Sequence, residues 1–218
     1  MTDADLVLLR EEARRLGISL DEEGIQRLGT FLDVLAVWNR RVRLTADPDT
    51  REVIRRHVAD SLAAARRLPP TGLVADIGSG AGFPGIVLGC VRPHLALALI
   101  ESRRRRASFL SEAIRTIPLP AARAIPARAE DAARDPALAG KTTMVISRGV
   151  RIEAFLPLAA PLVAPSGVVV AMQTPASRAR AERFAVERGF VTLAADEYRL
   201  LDGTSRNVLV FRRDDSVS

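Results

Sequence analysis

The stretch LVADIGSGAGFPG, residues 73–85, limits the possible folds more than any other part of the chain. A short apolar run containing Asp76 gives way to glycines at positions 78, 80, 82 and 85. The run reads as a buried strand and the residues from 84 onward as a helix. Glycines at a strand-to-helix turn permit positive φ and let a ligand approach the backbone closely. The helix that follows offers unpaired N–H groups to a polar or anionic ligand. A unit of this kind belongs in a sheet of parallel strands joined by helical crossovers.

The rest of the chain agrees. Strands are expected at 73–77, 95–100, 122–125, 142–147 and 167–172, with helices at 84–91, 103–115, 130–138, 151–163 and 176–188. The tail reads differently: FVTLAADEYRL, a DGTS turn and RNVLVFRR form an antiparallel hairpin. A parallel sheet finished by a reversed strand is the plan of Rossmann-like methyltransferases. Residues before 70 carry helical periodicity instead, in LVLLREEARRLG, DEEGIQRLGTFLDVLAVWNRR and DTREVIRRHVADSLAAARRL. PPTG at 69–72 breaks the pattern. The expected organisation is α/β: a helical cap over 1–70, then a Rossmann-like domain over 71–218 with a mostly parallel seven-stranded sheet and an antiparallel C-terminal strand.

Composition narrows the function. At 48% hydrophobic and 27% charged, the chain can bury a core and is not disordered by composition. One cysteine, Cys90, excludes a disulfide framework and a cysteine-based zinc site, and no metal is expected. The opening TDADLVLLREE lacks a cationic segment and a long apolar run, so the reading is a soluble cytoplasmic protein without a signal peptide. The formal charge is +6, and the excess is local: residues 71–150 hold eleven bases against six acids. A positive field concentrated around the glycine loop suits an anionic partner such as nucleic acid.

The glycine spacing fits two ligands. Gly80, Gly82 and Gly85 satisfy G-x-G-x-x-G, the dinucleotide pattern. Asp76, Gly78, Gly80 and Gly82 satisfy D-x-G-x-G-x-G, the S-adenosylmethionine (AdoMet) pattern. Glu101 ends the second strand, where a carboxylate can accept both ribose hydroxyls and repels the extra phosphate of NADP. That leaves NAD and AdoMet. Too little chain remains beyond residue 172 for the separate substrate domain of a dehydrogenase, which favours AdoMet.

The acceptor decides what the protein must add to an already activated methyl. Methylation at C5 of a pyrimidine needs a nucleophilic cysteine, and Cys90 reads as core. Methylation of an exocyclic amine commonly uses N-P-P-[YF] after the fourth strand, where this chain has VISRGV. Guanine N7 has a free in-plane lone pair and no proton to lose, so orientation and charge placement can carry the reaction. His57 is the best candidate base, His94 reads as structural, and Trp38 reads as core. Arg103 to Arg106 offer either a phosphate path or a solvated helix face.

Together, WNRRVRLT (38–45), RHVADSL (56–62), DIGSGAGFPGI (76–86), ESRRRRASFL (101–110), RAED (128–131), ISRGV (146–150) and SRNVLVFRR (205–213) resemble, in order, the motifs of the RsmG family, also called GidB. These are bacterial 16S ribosomal RNA guanine-N7 methyltransferases. The resemblance implies AdoMet as cofactor, and 16S rRNA or the small ribosomal subunit as partner. It implies cofactor contacts at Gly78, Phe83, Ala129, Glu130 and Arg148, with Arg148 also the catalytic candidate. Asn39, His57, Asp60 and Ser61 would link the cap to the pocket, and Arg206 would open the last strand near it. Two positions depart from the family: Arg43 replaces the second Asn of W-N-x-x-x-N-L-T, and Gln173 replaces a lysine after the fifth strand. Arg43 and Gln173 are therefore expected on the substrate side. An altered RNA target, a small-molecule acceptor and a non-catalytic RNA-binding relative remain the alternatives.

Overall fold

The computed structural model describes residues 1–47 and 49–214. The chain opens with α1 (Asp3–Arg15), whose Thr2 and Asp5 form a reciprocal capping box. Next comes α2 (Glu22–Val42), capped by Asp21, with Ile25, Leu28, Leu32 and Leu35 on its buried stripe. Residues 49–68 were expected as one regular helix. They form α3 (Thr50–Val53), a π-helical turn at Ile54–Val58, α4 (Ala59–Ala64) and a final 3-10 turn. The wide turn keeps Ile54 and Val58 fully buried while directing His57 toward the sheet edge. Periodicity alone cannot reveal one extra residue in a turn.

From residue 73 the order is β1 (Leu73–Ile77), α5 (Gly85–Val91), β2 (Ala96–Ile100), α6 (Arg104–Thr116), β3 (Ala122–Ile125), α7 (Ala129–Ala132) and β4 (Thr142–Arg148). Then follow α8 (Ile152–Ala159), β5 (Val163–Gln173), α9 (Arg178–Glu187), β6 (Phe190–Arg199) and β7 (Ser205–Arg213). The helix expected at 130–138 is a single turn, because Pro136 cannot continue it and Asp135 bonds the Ala137 amide instead.

One seven-stranded sheet runs β3-β2-β1-β4-β5-β7-β6. The five strands from β3 to β5 pair in parallel, and β7 inserts antiparallel between β5 and β6. The α/β expectation, Rossmann-like with a reversed C-terminal strand, holds. Alternation along β1 and β2 assigns the two faces. Val74, Leu97 and Leu99 face the N-terminal helices, α5 and α6. Ala75, Ile77, Ala98 and Ile100 face α8 and α9. The first 70 residues therefore share one core with a sheet face. Trp38 packs edge-on against Phe109 with ring centroids 5.9 Å apart, and Cys90 is fully buried, as expected of core side chains. Strand order reverses between β1 and β4, which opens a crevice at their carboxyl ends.

Candidate functional site

At that crevice the glycines divide into two kinds. Gly78, Gly80 and Gly82 have φ of 74°, 56° and 86°, a region that disfavours any side chain. A Cβ on Gly78 would lie 3.8 Å from Val150, and one on Gly80 would lie 3.5 Å from Arg106, both ordinary contacts. Those two glycines face open space. A Cβ on Gly82 would meet Ile86 at 2.7 Å, and one on Gly85 would meet Leu99 at 2.4 Å and Asp76 at 2.7 Å. Gly82 and Gly85 are small because the protein packs against them. Gly82 is thus placed behind the loop, whereas Gly78, Ser79, Gly80, Ala81 and Phe83 line a cleft of about 260 Å³. A cradle that two Cβ atoms would narrow fits a cofactor lying against bare backbone.

Two acids shape the loop. Asp76 is buried beneath it and accepts the Gly85 amide at 3.0 Å, while its other oxygen has no partner. Burial pushes its pKa up to about 7, with the Gly85 amide opposing the rise. Asp76 supports the loop from behind and does not line the cleft. Glu101 accepts the Gly80 amide at 3.0 Å and the Arg103 amide at 2.7 Å. Its carboxylate retains lone pairs for ribose hydroxyls. Ala129 and Glu130 begin α7 beyond β3, with Ala129 buried and Glu130 exposed.

A second, larger cleft of about 510 Å³ lies on the other side of Arg148. Its walls include Arg56, Asp60, Gln173, Asp202 and Arg206. Arg148 and His57 are the side chains common to both clefts. Arg148 Nη2 lies 2.5 Å from His57 Nδ1, and Nη1 lies 3.1 Å from Asp60 Oδ2. Phe83 stacks on the His57 ring with centroids 5.1 Å apart, and the Arg148 guanidinium sits 5.5 Å from the Phe83 centroid. A guanidinium has only donors, so His57 Nδ1 accepts and the ring proton is on Nε2. That Nε2–H points at Asp47 Oδ2, 2.5 Å away, with Thr45 Oγ1 at 3.0 Å. Burial, then the Arg148 charge, hold the His57 pKa below its ordinary value, with Asp47 opposing them.

The remaining candidates separate by position. Asn39 Oδ1 accepts the Leu44 and Thr45 amides at 2.6 and 3.0 Å, which pins the segment that carries Asp47. Arg43 ends α2 at φ 41° and shares a cleft of about 360 Å³ with Arg103 to Arg106, next to the glycine loop. Ser61 is buried and donates to the His57 carbonyl, so it braces the wide helical turn rather than facing a cleft. Gln173 donates to the Val150 carbonyl at 3.0 Å on the wall of the large cleft. Sequence reasoning missed Asp47, Tyr198, Arg56 and Asp202. Arg56 carried a signal as the first residue of RHVADSL and Tyr198 as the chain's one tyrosine, whereas Asp47 and Asp202 carried none.

The comparisons with known proteins converge on the same architecture. Residues 24–206 match the family described as rRNA small subunit methyltransferase G. A ribosomal RNA small subunit methyltransferase G from Moorella thermoacetica is 33% identical over 211 residues, covering 95% of this chain and 83% of that protein. The one from Roseiflexus sp. is 37% identical over 186 residues, covering 81% and 79%. Among solved structures, the tRNA methyltransferase TrmK of B. subtilis superposes with a TM-score of 0.58 at 12% identity, covering 72% of this chain and 66% of that one, a likeness of fold. Two clefts at a strand switch, a bare-backbone cradle and this extent of shared sequence give one answer: the chain belongs to the rRNA small subunit methyltransferase G family.

Proposed function

We infer that the chain transfers a methyl group from AdoMet to guanine N7 in 16S rRNA, with the cofactor in the smaller cleft and the guanine in the larger. The observation that carries this reading is the shared wall: Arg148 and His57 line both clefts, so the path between them passes these two side chains. The Gly78–Gly80 backbone and Glu101 would hold AdoMet, and Ala129–Glu130 would meet its adenine edge. When bound there, AdoMet supplies a methyl already activated by its sulfonium. The acceptor nitrogen has no proton to lose, so no general base is required. His57, kept neutral and bonded at both ring nitrogens, suits a wall that orients rather than deprotonates.

Arg148 stands where the methyl meets its acceptor and can donate to the guanine edge. Arg206 and Gln173 face the same cleft and would guide the RNA strand. Residues 1–70 act as a cap that contributes His57 and Asp60, and residues 71–218, the last four of them outside the described residues, act as the Rossmann-like domain. The partner is 16S rRNA or the small ribosomal subunit, which places the protein in the cytoplasm. Among the described residues no helix is long and apolar enough to cross a membrane.

The test is methyl transfer from labelled AdoMet to small subunits and to naked 16S rRNA, followed by mapping of the modified nucleotide. Label on guanine N7 supports the reading. Label on another base or atom, or AdoMet binding without transfer to either substrate, overturns it.

A further inference from the structure

The Arg148–His57 wall is the middle of a longer chain of polar contacts. At one end, Tyr198 on β6 donates its hydroxyl to Asp60 Oδ1, while Arg148 Nη1 holds Asp60 Oδ2 at 3.1 Å. Burial, then the Asp60 charge, push the Tyr198 pKa far up, so the phenol stays protonated and remains a donor. At the other end, Asp47 Oδ2 receives His57 Nε2–H, and its Oδ1 receives Arg56 Nη1 at 2.8 Å. Four chain segments meet in this relay: the loop before α3, the π-helical turn with α4, the end of β4, and β6. Both carboxylates of the relay are well covered: Asp47 is 9% exposed and Asp60 is 6% exposed.

Arg148 alone would be poorly fixed. Its guanidinium ends a flexible side chain at the open end of a strand, and both clefts compete for its donors. Three acceptors remove that freedom: Asp60 Oδ2 and, more distantly at 3.4 Å, the His57 carbonyl on Nη1, and His57 Nδ1 on Nη2. Asp60 can hold one angle only if its own carboxylate cannot turn, which is what the Tyr198 hydroxyl prevents. His57 accepts from Arg148 as the Nε2–H tautomer, and the Asp47 carboxylate receives that proton and holds the ring at the angle Arg148 needs.

We propose that Tyr198 and Asp47 are positioning residues that fix the Arg148 guanidinium between the two clefts, one by locking the Asp60 carboxylate and the other by locking the His57 ring. This rests on the methyl-transfer reading for its kinetic consequence, but not for its structural one. The groups facing His57 are Thr45 and Asp47 from the loop, Arg148 from β4, Asp60 from α4 and the Phe83 ring. Asp47 and Asp60 favour the imidazolium, and burial and Arg148 oppose it.

The experiment uses the full chain and two variants, Tyr198→Phe and Asp47→Asn. Long-range ¹⁵N–¹H spectra read the tautomer and titration of His57 directly, since the chain has only two histidines. The parent should show His57 as the Nε2–H tautomer. Asp47→Asn should move its titration to lower pH, because a group favouring the imidazolium has gone, while the donor-only Arg148 still keeps Nδ1 the acceptor. Single-turnover methylation of small subunits should fall about tenfold or more in both variants, with the RNA concentration for half-maximal rate within about twofold of the parent. A role in folding alone would lower the melting temperature and leave the His57 titration and the saturating rate unchanged. The proposal is overturned by an Nδ1–H tautomer in the parent, by an unchanged His57 titration in Asp47→Asn, or by parent-like rates in Tyr198→Phe. A parent that transfers no methyl overturns the proposed function instead, and the spectra then decide the structural claim alone.

Discussion

Arg148 and His57 meet through Nη2 and Nδ1 at 2.5 Å, and this contact separates the two clefts. A guanidinium held by an imidazole on one nitrogen and a carboxylate on the other is preorganised before any ligand arrives. Removing it should cost transition-state stabilisation rather than stability. Arg148→Ala is expected to lower single-turnover methyl transfer by about 10²-fold or more, on the scale of one preorganised donor. Arg148→Lys should not restore the rate, because one ammonium cannot span His57 Nδ1 and Asp60 Oδ2 together. Rapid-quench assays on small subunits measure both, and a parent-like Arg148→Ala would remove this residue from the site.

The glycine loop predicts opposite failures for neighbouring positions. Gly80 faces the cleft, so Gly80→Val should abolish AdoMet binding while the chain still unfolds cooperatively, at a backbone cost of about 1–2 kcal/mol for a left-handed residue. Gly85→Ala forces a methyl against Leu99 and Asp76, and should destabilise by about 1–3 kcal/mol through overpacking. Calorimetry and thermal melts separate the two outcomes. Unaltered affinity in a folded Gly80→Val protein would move the cofactor elsewhere.

Asp76 gives the cofactor-free protein a pH signature. Its pKa rises from 3.8 to about 7 on folding, so the native state retains a proton that the unfolded chain has released. Stability from this group is complete below the unfolded value and is lost as pH climbs through the folded one. Melting temperature should therefore decline between about pH 4 and pH 7 more steeply in the parent than in Asp76→Asn. Superimposable curves would mean that Asp76 is charged in the native state across that window.

How much of this was legible in the sequence follows from the range of the interactions involved. The strand–glycine–helix unit, the alternation after it and the reversed last strand are local patterns, and all are present in the fold. The division of labour among the glycines was not legible, because Gly80 and Gly85 differ only in what lies across from them. Likewise, His57 and Asp60 could be picked out by type, but their convergence on Arg148 depends on a turn widened by one residue. Tyr198 lies 138 residues from its partner Asp60, and no spacing rule reaches across that distance.

Charge next to the loop should govern RNA association. Some surface arginines are neutralised by a nearby acid, as in Arg10–Glu22, Arg115–Glu112 and Arg134–Asp131. Among the described residues, Arg43 and Arg103 to Arg105 form no ion pair, and the cleft they share contains no carboxylate. Affinity for 16S rRNA should fall steeply with salt, and each of Arg43→Gln, Arg104→Gln and Arg105→Gln should reduce the log–log slope by about 0.7 if it removes one single-strand phosphate contact. Filter binding across a salt series tests this. Slopes equal to the parent's would leave the patch without a phosphate.

Gln173 tests the same physics from the other direction. It closes β5 on the wall of the larger cleft, where the family resemblance leads to the expectation of a lysine, and it is held in place by the Val150 carbonyl and the Ser177 hydroxyl. A lysine here could still donate to Val150, or could reach past it into a cleft already lined by Arg56, Arg148, Arg151 and Arg206. Asp60 and Asp202 line the same cleft but already pair with Arg148 and Arg56, so a fifth cation gains little there unless a phosphate enters with it. In the free protein, Gln173→Lys should therefore be neutral or slightly destabilising. With RNA bound, the added charge releases a further counterion, so affinity or turnover should rise at low salt and the gain should shrink as salt increases. Paired single-turnover assays at two ionic strengths give the answer. A gain that persists at high salt would point to a direct hydrogen bond to the base. No gain at either ionic strength would mean that the RNA backbone does not pass residue 173, and that the arginines of this cleft already supply the field expected of that lysine.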